Sequence, residues 1–291
     1  MKKIFCFIAL FHSFSVTAQT GSEIILFDLR VTKNVVIISN VKNFTSHKGY
    51  DNQPFFHPKK SIIYFSSFND SGRSDLKYYD FKNNKTKNLT TTNEREYSPT
   101  VTPGSKFISC IIQRDNGEQN LGQYPIKGGG AQVLIKDLIV GYHAWVSKNK
   151  LLLFVLGDSL HPNTLHYVDL RLKKDTVLAE NIGRSLHQIP GTDLMSFVQR
   201  VSEKELLIKQ FDPRTMKITT ITATKPGQDH LTWLNSHKIL MSDGVNLFVF
   251  DVIANTGWQL VTIEGDGSML KGITRLAVNR KSSKLAVVVS E

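Results

Sequence analysis

Cysteine is almost missing from this chain: 2 in 291 residues, Cys6 and Cys110. Cys6 lies in the amino-terminal leader described below, so Cys110 stands alone and no disulfide is expected within the rest of the chain. Set in the apolar run Phe107 to Ile112, Cys110 reads as a small buried hydrophobe with an inert thiol. Packing alone must then hold the fold. Long apolar runs are also missing beyond the leader, and roughly 30 Å of hydrocarbon takes about 20 apolar residues to span. No Gly-x-Ser-x-Gly elbow occurs, which removes the α/β-hydrolase arrangement. The one glycine run, Gly128-Gly129-Gly130, has no Lys-Ser/Thr after it and opens no helix, so it is no phosphate cradle.

The clustered apolar residues sit at the start. Lys2 and Lys3, then Ile4 to Phe11, then Val16-Thr17-Ala18 read as the three regions of a secretory signal peptide spanning residues 1–18, with Gln19 opening the mature chain. The expectation is an exported protein, periplasmic or secreted, without a transmembrane segment. Its formal charge is +11, or +11 − 2 = +9 without the two leader lysines. The basic residues are scattered, and their densest patch (Lys77, Lys82, Lys85, Lys87) is interrupted by Asp75 and Asp80, as on a solvated outer edge. Scatter and export together argue against nucleic acid as a partner.

What the sequence does have is a period. Pro54, Pro99, His143, Leu186, Leu231 and Leu276 each open a similar unit, at intervals of 45, 44, 43, 45 and 45 residues. A fixed spacing in this range marks an array whose units bury their apolar faces on one another. The first unit reads as four strands between turn clusters: Gln53 to Phe56, Ile62 to Ser67, Leu76 to Phe81 and Lys85 to Thr91. Later units repeat the plan, with Trp258 to Ile263 as the fourth strand of the fifth unit. The sequence ends after a second strand, Lys284 to Val289, and a third strand, Glu23 to Leu29, follows the leader. One blade is therefore expected to be completed from both ends, which leaves no open sheet edge. The fold class is all-β: a six-bladed β-propeller of four-stranded antiparallel blades occupying residues 19–291.

Asp28, Asp80, Asp169, Asp212 and Asp251 end the third strand in five of the six units. Their expected role is to accept backbone hydrogen bonds from the following turn. Trp145 and Trp233 share a position in the first strand and are expected to pack between blades, with Trp258 in the outer core.

Residues Gln53-Pro54-Phe55-Phe56-His57-Pro58, Ile63 to Ser67, Tyr78-Tyr79-Asp80-Phe81 and Asn88-Leu89-Thr90, with Ser98-Pro99-Thr100-Val101-Thr102-Pro103-Gly104-Ser105-Lys106, resemble the repeats of TolB-like propellers, also called PD40 or WD40-like repeats. The resemblance is specific over about Gly49 to Lys106 and covers the rest as architecture. It implies an exported propeller that binds proteins, peptides or glycans at one end of its channel.

First strands line the channel of a propeller, so the residues that open each unit should meet at one mouth. There the sequence is polar and aromatic, and Tyr97, Tyr142, His143, His187, His230 and Arg275 are the candidate ligand-binding residues. The expected function is a monomeric binding or scaffold module for a protein, peptide or envelope glycan. No catalytic residue, cofactor or metal ion is assigned. The alternative is a metal-dependent propeller enzyme, a polysaccharide lyase or lactone hydrolase, in which His143, His187 and His230, spaced by 44 and 43 residues, hold a divalent ion or the mouth's acids act. Asp51, Glu96 and Asp229 are otherwise expected to pair with arginines such as Arg95, Arg184 or Arg275.

Overall fold

Strands of two to ten residues, most of them rich in Ile, Val, Leu, Phe and Tyr, pair with their neighbours to give six sheets around a central channel. The structure, a computed structural model, describes residues 21–291; the expected signal peptide, residues 1–18, lies outside them. Blade 1 comprises Asp51–Phe56, Ile62–Phe68, Ser74–Asp80 and Lys85–Asn88, an antiparallel meander. Blades 2 to 4 repeat it from Arg95–Val101, Val140–Ser147 and Ile182–Gln188 as innermost strands, and blade 5 begins at Leu231–Trp233. No helix among the described residues is long and apolar enough to cross a membrane.

Blade 6 closes the ring as expected. Ser22–Val31 lies beside Lys284–Ser290, with Ile25 opposite Val287, and the sheet continues through Val36–Asn43 on one side and Arg275–Val278 on the other. The first and last strands of the described residues therefore share one hydrogen-bonded ladder. One element departs from expectation. Trp258 to Ile263 is not a single fourth strand but two short pieces: Gln259–Leu260 pairs with Phe248 and Val249 of its own blade, while Thr262–Ile263 runs parallel to Ile37 and Ile38 of blade 6. Val261 between them is buried in the core shared by blades 5 and 6, and this anchors the switch. Blade 6 thus has five strands, and its outer edge is partly covered.

The core lies between the blades. Alternate residues of each strand face opposite neighbours, so Ile63 and Phe65 pack towards blade 6 while Tyr64 packs towards blade 2. Six apolar clusters among the described residues each join two consecutive blades, and those on either side of blade 6 mix residues from both chain ends. Cys110 is fully buried in the cluster between blades 1 and 2, as expected.

The periodic aspartates behave as expected in four cases. Asp80, Asp169, Asp212 and Asp251 each end a strand and accept backbone N–H groups from the next turn, at 2.8–3.1 Å. Asp28 does not. Its strand runs three residues further to Val31, so the turn is out of reach; the carboxylate instead takes the Asn40 amide at 2.8 Å and pairs with Lys284. Trp145 and Trp233 do bridge blades, donating to Ser109 Oγ at 2.9 Å and Ser196 Oγ at 2.8 Å on the preceding blade. Trp258 reaches back to the Ala223 carbonyl of blade 4 at 3.2 Å.

Candidate binding site at the channel mouth

Six first strands converge on the axis, so residues at matching places in the repeat become neighbours there. A funnel of about 690 Å³ opens among Tyr50, Tyr97, Tyr142, Arg184, Asp229 and Arg275. It narrows to a chamber of about 120 Å³ that holds His143, His187 and His230 among its walls. Gln53, Tyr142, Arg184, His230 and Arg275 line both spaces and form the throat. Phe55 joins the chamber to a second opening of about 1140 Å³ at the other end, walled by Trp233, Asp193, Arg214 and Arg280.

Three of the six candidate residues meet at the throat. The Arg275 guanidinium donates to the Tyr142 hydroxyl at 2.6 Å and sits 4.9 Å from the centre of its ring, a cation–π arrangement. His230 stands beside them. Tyr97 forms the funnel wall further out, edge-on to Tyr50 with ring centres 6.2 Å apart.

The three histidines do not form one set. Taking His143, Leu186 and Leu231 as equivalent, His143 occupies the anchor position itself, whereas His187 follows its anchor and His230 precedes its own. Side chains alternate along a strand, so His187 and His230 project to one face and His143 to the other. His143 accordingly turns between blades, with Nε2 2.7 Å from the Ser109 Oγ that also holds Trp145. His143, His187 and His230 do not bring their ring nitrogens within coordination distance of one another; among the described residues that geometry occurs elsewhere, at Glu23, His47 and Asp51.

Burial keeps the imidazoles neutral. It drives His143 down to about 3, where a charged ring would also leave Nδ1–H without an acceptor. Burial lowers His187 to about 4, with a backbone contact to Leu231 opposing the change. His230 falls well below the ordinary histidine range, first through burial and then through the Arg275 charge, although Asp229 pulls the other way.

Of the three acids, only Asp229 pairs with an arginine. Arg184 Nε and Nη2 both donate to it at 3.2 Å, and Gly183 makes room: a methyl there would lie 2.9 Å from the Asp229 Cβ. Burial pushes the Asp229 carboxyl up, but His230 and Arg184 outweigh it and hold it below the usual range. Glu96 departs from expectation. It is fully buried and is held by the hydroxyls of Thr90, Thr92 and Tyr124, while Arg95 pairs instead with Asp115. Asp51 has no arginine either; His47 faces it.

Gln53, outside the expected site residues, also borders the funnel and the chamber. Its backbone has φ of 58° at a bulge just before Pro54, and Ser98 has φ of 55° just before Pro99. The Gln53 Oε1 accepts both the Ser98 N–H at 2.7 Å and the Ser66 hydroxyl at 3.0 Å, stitching blade 1 to blade 2 at the chamber wall. The signal was present as the matching residue–Pro pairs 45 apart.

This architecture is a six-bladed β-propeller, and its shape is similar to that of TolB structures. The putative TolB of Agrobacterium tumefaciens superposes with a TM-score of 0.69 at 13% identity, over 94% of this chain and 99% of that one. The TolB of Acinetobacter baumannii does so at 0.58 and 12% identity over 91% of this chain, which spans 63% of that protein's length. An oligogalacturonate lyase of Vibrio parahaemolyticus shares the shape at 0.57 and 12% identity, over 86% of this chain and 80% of its own. No protein-family model and no curated protein matches the sequence. The likeness is one of fold.

Proposed function

We propose that this chain is an exported, monomeric binding module that takes a protein, peptide or envelope glycan into the funnel. Tyr97 and Tyr142 offer aromatic faces, His187 and His230 uncharged imidazoles, and Arg275 a cation, while His143, turned between blades onto Ser109, backs the wall. The observation that carries this reading is Arg275: the Arg184 charge is matched by Asp229, whereas Arg275 rests on the Tyr142 hydroxyl and ring. A guanidinium so placed at a concave aromatic wall favours a ligand with a carboxylate or similar anionic group. Expected localisation, partner class and the extent of the propeller over residues 19–291 belong to the same proposal.

A photocrosslinking residue placed at Tyr97 in the producing cells tests it, with one at Lys85 on the outer rim as control. The mouth position should give a discrete adduct that disappears in an Arg275→Ala background. Adducts from Lys85 alone would overturn the proposal.

The alternative, a metal-dependent lyase or lactone hydrolase, draws on neutral His187 and His230 lining the same chamber. A stoichiometric ion lost in the His187→Ala/His230→Ala variant, with turnover of oligogalacturonate or a lactone, would favour it.

A further inference from the structure

Away from the channel, three potential ligand groups meet where the ring-closing blade hands over to blade 1. Glu23 lies in the third strand of blade 6, His47 on the connector between blades, and Asp51 opens blade 1. One donor atom from each lies within 4.8 Å of the other two. None of the three lines the funnel or the chamber.

Glu23 is already oriented. Its Oε1 accepts the His47 N–H at 2.9 Å, and its Oε2 accepts the Ser46 N–H at 2.6 Å and the Thr45 hydroxyl. Glu23 thereby fixes the connector that carries His47, and its Oε1, with one hydrogen bond, retains capacity for another partner. Asp51 supplies an independent observation. It is 1% exposed, yet neither of its carboxylate oxygens receives a hydrogen bond. The His47 Nδ1 stands 2.8 Å from Oδ2 without the alignment of a donor. Directly across the strand pair, the buried Ser67 hydroxyl also lacks a partner. Burying an unpaired carboxylate is costly, and proteins offset it by pairing the charge or coordinating a cation.

We propose that Glu23, His47 and Asp51 form a binding site for a divalent transition-metal ion, with zinc the expected occupant. Two carboxylates and one imidazole are a nitrogen–oxygen set suited to zinc and manganese, and an open side towards solvent leaves room for water. The ion would join the closing blade, the connector and blade 1, three segments that the folded ring brings together. Binding to the closed ring alone stabilises it by mass action.

The test uses untagged protein, stripped of metal with a chelator and titrated with zinc chloride by calorimetry. Cobalt substitution read by visible absorption serves as a second probe. One ion per chain should bind and raise the thermal midpoint. His47→Ala, whose side chain is 43% exposed and so leaves packing intact, should weaken binding at least about tenfold and remove the cobalt bands. Asp51→Asn should lose the ion while leaving the metal-free protein at least as stable, because it removes an uncompensated buried charge. Failure of the wild type to bind would overturn the site. So would binding that survives both substitutions, including an ion that depends on His187 instead.

Discussion

Acidification offers a quantitative probe of the inter-blade packing through His143. The imidazole is 7% exposed, its Nε2 is committed to Ser109 and its Nδ1 has no partner. In the unfolded chain it titrates near 6.5, and in the folded ring at about 3. Since the folded value is the lower one, the unfolded state binds the extra proton between these limits. Stability is therefore full above about pH 6.5 and falls as pH drops, levelling off only near pH 3. One pH unit in that window costs about 1.4 kcal/mol, so roughly 2 kcal/mol is lost between pH 7.5 and pH 5 from this residue. His143→Gln keeps a polar group near Ser109 but cannot take up the proton. Urea unfolding followed by tryptophan fluorescence at both pH values should show the wild type losing about 2 kcal/mol more than the variant. Equal losses, within about 0.5 kcal/mol, would refute the reasoning, for they would mean that the ring charges without leaving its place between blades.

Two further outcomes test the packing itself. Trp233→Phe removes the indole donor from the buried Ser196 hydroxyl and should lower stability by about 1–3 kcal/mol in denaturant titrations. Cys110, fully buried and with its thiol pushed well up by burial, should react with a thiol reagent only as fast as the ring opens, and at once in denaturant.

Much of the architecture is local information. A strand that alternates faces between two neighbours needs apolar residues at both, and turn residues must separate the strands, so Ile62 to Ser67 or Phe107 to Gln113 is legible as a run. The ring closure is legible too, because a count of strands by type leaves the two ends complementary. The remaining features depend on partners distant in sequence. Thr262 and Ile263 leave their own blade because Ile37 and Ile38 present a free edge about 225 residues away in the chain. Asp28 loses its turn because its strand stays paired three residues beyond it, to Val31 opposite Val36.

The mouth divides in the same way. Repeat spacing brings Tyr97, Tyr142, His143, His187, His230 and Arg275 to the channel wall, since equivalent positions in a ring face one axis. Which way each side chain points turns on a single residue of register, and so His143 goes to Ser109 while His230 goes to the throat. Charge pairing is equally non-local: Arg184 finds Asp229, 45 residues on, and Arg95 finds Asp115 rather than Glu96. By itself, the sequence determined a ring of six sheets and the residues that border its channel, because periodicity is a property of the chain. Tertiary structure alone decided which acids are paired, which imidazoles are sealed between blades and where Glu23, His47 and Asp51 meet, because those contacts exist only once the two ends have closed the circle.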